Sequence, residues 1–485
     1  MGRRKVILLE LNEINWPVVD RLVAQHGASY LPNFDRLRKQ GTWATQIADE
    51  RPPHLDPWIT WVTLHTGVSR EVHGASVLEQ DSATLSAKRT WDYAAEAGRS
   101  VGVFGSISAY PPRPVRGFMI PGPFAPGDET FPKELQPVQQ INRRYTQVHN
   151  RTTSALGPLS MIRTGMALVG LGLRPSTMAT TAIQLAREKL APHSRWKRVS
   201  LQPLLNFDFF SSLYRKYRPD FATWHSNHAA HYMHHYWRAW DDSQFPVRSS
   251  PQERARYGDA VPFGYRVCDE LIGKFIRLAD PQTVIVVASS MGQQPFVSDK
   301  YAAGKIVVRF RDIDRVLDII GREGVAEVVP TMIPQWNIRV TDAAQRARLK
   351  SRLESVQRVV AGRREGAIAV DETNTLLTVT PLGLAEMSED IRYFFPGCEA
   401  ANPEGYLIGE LFATDTPTTK QGMHHPAGIL AFIGADIRPG QHIGSCSGLD
   451  VAPTLLSLLG VPVPSAMQGR VLNEAWEDVA EAVPA

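Results

Sequence analysis

Four short runs rich in β-branched and apolar residues, Val6–Leu11, Ser100–Phe104, Phe221–Trp224 and Thr283–Ala288, each give way to polar or glycine-containing residues and then to helical periodicity. This alternation leaves few architectures open. Strands separated by helical stretches pair in parallel, because a parallel return needs a crossover long enough to hold a helix. The expected fold is α/β, with a mostly parallel central sheet flanked by helices. Chemistry in such sheets collects at the carboxyl ends of the strands. That rule points to Asn12-Glu13, to His225–His235 and to Ser289–Gly292.

The rest of the chain narrows the class. With 485 residues, 43% of them hydrophobic and 21% charged, it has ordinary globular composition, which excludes disordered and fibrous classes. A net charge of +4 is too mild to imply nucleic-acid binding. Cys268, Cys398 and Cys446 lie far apart and form neither a disulfide framework nor a metal knuckle, so a reducing, cytoplasmic setting is expected. The basic start, Arg3-Arg4-Lys5, precedes an apolar run that stops at Glu10, Asn12 and Glu13, too short for a signal peptide and better read as a buried first strand. Leu156–Leu173 is apolar but carries Arg163 and several glycines, so no transmembrane segment is expected. It reads as an amphipathic or buried helix, with contact to a membrane surface as the lesser alternative.

Signal strength changes along the chain. Residues 1–130 read as the first part of a core. Residues 131–217 lose the strand signal and are rich in Arg and Lys, a helical basic insertion or cap. Residues 218–304 resume the core. Residues 305–400 hold a strand-like Trp336–Val340, a charged helix Asp342–Val360 and a second strand Leu376–Val379, a small α+β insertion. Residues 401–485 close the core, with a strand at Gly428–Ile433 and a helix at Asp450–Leu459.

The densest chemical signal is Trp224–Trp237, which holds five of the 14 histidines. If helical from Asn227, it puts His228, His231 and His235 on one face by the i, i+3, i+4 rule, and two imidazoles one turn apart can grip a divalent ion. The competing reading is an aromatic interfacial helix with hydrogen-bonded histidines. Gly422-Met-His-His-Pro-Ala-Gly supplies a distant histidine loop entering a strand. Pro53–Gly67 contains Asp56, a natural helix cap, and Thr60, Thr63 and Thr66 on helical spacing.

Taken together, these stretches resemble the alkaline phosphatase superfamily, in particular its type I phosphodiesterase/nucleotide pyrophosphatase-like and phosphoglycerate mutase-like branches. Val6–Asn12 resembles the first strand that ends in a metal-binding Asp-Gly. Leu31-Pro-Asn-Phe-Asp-Arg-Leu, Thr63-Leu-His-Thr-Gly with His73-Gly, Thr283–Gly292, Gly422–Leu430 and the segment from Leu449 to Gly469 follow in the family's order. The resemblance implies an alkaline phosphatase-like core spanning nearly the whole chain apart from the two insertions.

It also implies an altered site. The Asp of Asp-Gly is Asn12, followed by Glu13. Asp56-Pro57 stands where a Thr or Ser nucleophile is expected, with Thr60 displaced from that position. The Asp-x-x-x-His pair becomes His231 and His235, and the Asp-His of Ser-Asp-His-Gly becomes Ser290-Met291. His231, His235 and His424, with His228 nearby, are the expected metal ligands. Three imidazoles and an open position suit one divalent ion, zinc first, with iron or manganese as alternatives. Asn12, Asp56, Ser290 and Met291 make a poor second site. Asn12, Glu13, Asp56 and Thr60 are the candidate catalytic residues. Asp56 and Glu13 would serve as general bases or outer partners of the metal, or Asp56 as a carboxylate nucleophile.

The implied activity is a divergent, single-metal hydrolase or transferase for a phosphate- or sulfate-type ester, acting on an anionic small-molecule or glycan-linked substrate. The alternatives are a catalytically inert binding or assembly subunit and a non-hydrolytic three-His metal enzyme. Homo-oligomerisation is left open.

Overall fold

The computed structural model describes residues 4–76, 78, 80–147, 168–331, 334–373, 375–398, 402–414 and 419–476. Its central sheet is built from β1 (Lys5–Leu11), β2 (Thr42–Ile47), β3 (Val101–Phe104), β4 (Gly117–Ile120), β5 (Phe221–Ser226) and β6 (Thr283–Ala288). Numbering the short pair Gly292–Pro295 and Gly422–His425 as β7 and β8, the last two sheet strands are β9 (Ala427–Gly434) and β10 (Gln441–Ser447). The order across the eight strands is β10-β2-β9-β6-β1-β5-β3-β4. From β6 to β4 every pairing is parallel. β9 runs antiparallel to both β6 and β2.

The near-continuous apolar character of β1 follows from its central place. Ile7, Leu9 and Leu11 enter one core, and Val6 and Leu8 enter the other, so both faces of the strand are covered. Glu10 interrupts the run because it is paired: its carboxylate accepts from Ser106 Oγ at 2.8 Å and meets His225 Nδ1 at 3.0 Å. Burial works to raise this carboxyl, but the charges and hydrogen bonds of His65 and His225 outweigh it and hold it at about 2.

The basic stretch contributes helices α2 (Pro175–Leu190) and α3 (Leu201–Tyr217), after α1 (Pro57–Thr66) of the core. α3 is no peripheral cap. Phe207, Phe210, Leu213 and Tyr214 join the main core, and Phe210 packs edge-on to Phe104 of β3. Residues 156–167 of the apolar run Leu156–Leu173 lie outside the described residues. Among those described, no helix is long and apolar enough to cross a membrane.

The second insertion has a core of its own, which extends past residue 400 to Leu411 and Phe412. The helix expected over Asp342–Val360 ends at Ser355, and Gln357–Val360 turns back as a strand against Arg363–Gly366. Two positive-φ residues, Ala361 and Gly362, make the hairpin turn there, a twist that helical continuation cannot accommodate.

Candidate metal centre

β1 is in register with β5 and β6, with Glu10 opposite both His225 and Ala288. The loops leaving all three strands therefore emerge together. One carries Asn12-Glu13, one leads from Asn227 into helix α4 (His228–Trp240), and one carries Ser289–Met291. Glu13 has φ of 63°, a left-handed conformation at the position where the Asp-Gly pattern has glycine. Its side chain is buried in the resulting cleft.

Strand β8 crosses the cleft and fixes two histidines. The amide of Gln421 donates to the carbonyl of His234 at 2.6 Å, and His234 Nδ1 donates to the carbonyl of Gly422 at 3.0 Å. A Cβ on Gly422 would run into Gln293 Oε1 and stand 2.6 Å from the Met233 carbonyl oxygen, so glycine is what lets the strand lie this close to α4. Two residues on, His424 Nδ1 donates to the carbonyl of Leu55 at 2.7 Å.

These two contacts determine the chemistry of both rings. A backbone carbonyl can only accept, so each Nδ1 carries the proton and each Nε2 keeps its lone pair when the ring is neutral. Both Nε2 atoms face Glu13, from His234 at 3.0 Å to Oε2 and from His424 at 3.7 Å to Oε1. One ligand atom from each of the three lies within 4.8 Å of the others, and among the described residues no other such group of three or more is present. Histidines held through Nδ1 by carbonyls, with Nε2 turned to a carboxylate, are the orientation metal ligands require. Two histidines and a glutamate are also a donor set that zinc accepts.

Electrostatics support the same grouping. Burial works to raise the Glu13 carboxyl, but the charges of His234 and His424 and the hydrogen bonds from His234 and Gln293 bring it down to about 2. Burial opposes protonation of His424, and Glu13 and Asp56 overcome it to raise this histidine. Without an ion, protons on imidazole balance the carboxylate. An ion would replace them.

Asp56 and Lys420 border the group. Asp56 occupies the N-cap of α1, yet its side chain makes no capping bond. Its Oδ1 lies 3.3 Å from His424 Nδ1 instead, and a quarter of the side chain is exposed. Lys420 lies two residues before Gly422, on the side of the strand that carries His424. Its ammonium makes no hydrogen bond or ion pair among the described residues, and it interacts electrostatically with Glu13 and Asp56.

The remaining predicted residues are placed otherwise. Asn12 is wholly engaged: Nδ2 donates to Glu13 Oε1 at 3.0 Å and to Asn227 Oδ1 at 2.7 Å, and Oδ1 accepts from Trp61 Nε1 at 2.7 Å. Thr60 is buried against Ser290, their hydroxyls 2.8 Å apart. Met291 packs with Ala48 and Leu55. The expected set of His228, His231, His235 and His424 is not assembled; only His424 of these joins the group. His228 faces the core, with Nδ1 2.8 Å from Ser226 Oγ and Nε2 3.2 Å from the carbonyl of Gly264, and burial holds its pKa at about 4. The rings of His231 and His235 lie 4.5 Å apart, beside Tyr236 and outside the group. His234, which the i, i+3, i+4 pattern passes over, takes their place, and Glu13, read as a base or outer partner, becomes a candidate ligand.

In comparison with known protein families, the sequence model described as type I phosphodiesterase / nucleotide pyrophosphatase matches residues 18–377. A search of curated proteins finds no match.

Proposed function

Because the chain belongs to the type I phosphodiesterase/nucleotide pyrophosphatase family, whose chemistry is metal-dependent phosphoester hydrolysis, we propose that it hydrolyses an anionic phosphoester at a single-ion centre formed by Glu13, His234 and His424. The observation that carries this reading is the shared orientation of the two histidines, each anchored through Nδ1 to a carbonyl with Nε2 toward Glu13. A divalent ion, zinc by donor type and iron or manganese as alternatives, would supply Lewis acidity to a phosphoryl oxygen.

The chain's own groups do the rest. Asp56 is the partly exposed carboxylate at the rim and takes a proton from the attacking water as general base, while the phosphorus–oxygen bond to the leaving alcohol breaks and the proton passes on to that alcohol. Lys420 lies on the same side; burial lowers its pKa, and the negative charge that a phosphoryl group brings would favour its ammonium form there. Asn12 and Gln293 hold the Glu13 carboxylate in place. The three free cysteines, Cys268, Cys398 and Cys446, support a cytoplasmic setting for the same reading.

One observation favours a second reading. The Asn12–Asn227 pair and the Thr60–Ser290 pair close the other half of the family's site with neutral groups, as an inert binding subunit would. Elemental analysis and hydrolysis of bis(p-nitrophenyl) phosphate separate the two. The hydrolase reading expects a single divalent ion per chain and metal-dependent turnover, with Glu13→Gln losing the ion and roughly a hundredfold in rate. Protein that holds no metal after supplementation and shows no turnover belongs to the second reading. Iron with no hydrolysis would point to non-hydrolytic chemistry.

A further inference from the structure

Helix α2 is amphipathic in the reverse sense. Its buried residues are Gln184 and Glu188. These are held by polar contacts: Gln184 Nε2 donates to Glu188 Oε1 at 3.1 Å and to the carbonyl of Ser194 at 3.0 Å, and Arg198 pairs with Glu188. The opposite side is apolar and faces outward. Met178, Ala182 and Leu185 form one row at i, i+4, i+7, which ends in Lys189 at i+11, and Ala179, Ile183, Ala186 and Leu190 form the next, all exposed. Ile183 is 60% and Leu190 89% exposed. A surface helix ordinarily turns such a face to the core, and a contiguous exposed apolar face marks an interaction surface.

The charge around it identifies the partner. Between residues 168 and 217 there are eight Lys and Arg but only two carboxylates, Glu188 and Asp208. Both carboxylates are already paired, with Arg198 and Arg174. Arg187 and Lys189 on the helix and Arg195 just beyond it are exposed and have no ion pair among the described residues. The excess is local, since the whole chain carries only +4. Sixteen residues span about 24 Å, enough to lie along an interface.

We propose that α2 seats this protein on a bilayer surface containing anionic lipid. The helix lies in the interfacial plane with Met178, Ile183, Leu185 and Leu190 toward the acyl chains and Arg187, Lys189 and Arg195 at the phosphate level. The proposal is independent of the reading of the metal centre.

Co-sedimentation of the full chain with vesicles tests it, using phosphatidylcholine alone and an equimolar mixture with phosphatidylglycerol. The wild type should pellet with the mixed vesicles, release in high salt and ignore the neutral ones. Ile183→Glu with Leu185→Glu should cut binding by roughly tenfold or more, and Arg187→Glu with Lys189→Glu by a similar factor. Thermal midpoints should be unchanged, because none of these side chains belongs to the buried core. Absence of wild-type binding, or full binding by the Ile183/Leu185 variant, overturns the proposal. A wild-type dimer in light scattering that the variant makes monomeric would overturn it in favour of a second copy. A fall of the variant's melting midpoint would overturn it in favour of cover by the chain itself.

Discussion

Asn12 and Glu13 are neighbours on one loop, yet the two halves of the cleft they open handle buried polar groups in opposite ways. On the Asn12 side, amides and hydroxyls satisfy one another: Asn12 with Asn227 and Trp61, Thr60 with Ser290. Nothing there calls for an ion. On the Glu13 side, a buried carboxylate faces two imidazole lone pairs, and only protons or a metal can balance the three groups. Under the proposed single-ion reading, one ion of the family's framework is given up by exchanging carboxylates for amides, which hydrogen-bond without a counter-charge. The other ion, on the same reading, is kept by donors that otherwise pair only through protons on the imidazoles.

The contrast can be broken by restoring charge to the quiet half. Asn12→Asp combined with Asn227→Asp places two carboxylates in contact. Without metal the variant should lose about 3 kcal/mol or more of stability in urea denaturation, and zinc should return most of it. Zinc without effect would mean that the Asn12 half has no room for an ion. Next in size is Asp56→Asn, expected to lower kcat for bis(p-nitrophenyl) phosphate by roughly a hundredfold with metal content unchanged. Equal rates would return Asp56 to a helix-start role.

Smaller again is Lys420→Met. It should raise KM for an anionic diester about tenfold, near 1.4 kcal/mol, with kcat less affected and metal retained. The smallest effect lies outside the cleft. His228 is held at about 4 by burial, against 6.5 for the free side chain. Between these values the unfolded chain binds a proton that the folded chain refuses, so this contribution to stability is present above pH 6.5 and is lost as pH falls towards 4. Melting midpoints should drop from pH 7 to pH 5, and less steeply in His228→Gln.

The sheet was legible because a strand covered on both faces must be mostly apolar, and β1, β5 and β6 are, apart from polar residues at their ends and Glu10 and Thr223 inside them. The histidine helix was legible too, but its phase was not. Local spacing groups His228, His231 and His235, whereas which stripe becomes a site depends on what docks there. β8 lies against His234 through Gly422, a contact between residues 188 apart that no local pattern encodes. His228 is turned instead against Gly264. Glu13 carried a usable signal: a glutamate in the slot of a turn glycine is a local conflict, and such conflicts collect at functional sites. The polar underside of α2 gave no signal of its own, since Gln184 and Glu188 are ordinary solvent-facing residue types.

The left-handed backbone of Glu13 sets stability and activity against each other at a single position. A non-glycine residue held there costs of order 1–3 kcal/mol, which glycine would release. The same change would delete the one carboxylate of the donor group and leave His234 and His424 facing empty space. Under the proposed reading, a change that relaxes the backbone at residue 13 also removes the chemistry, so at this position a more durable protein is an inert one.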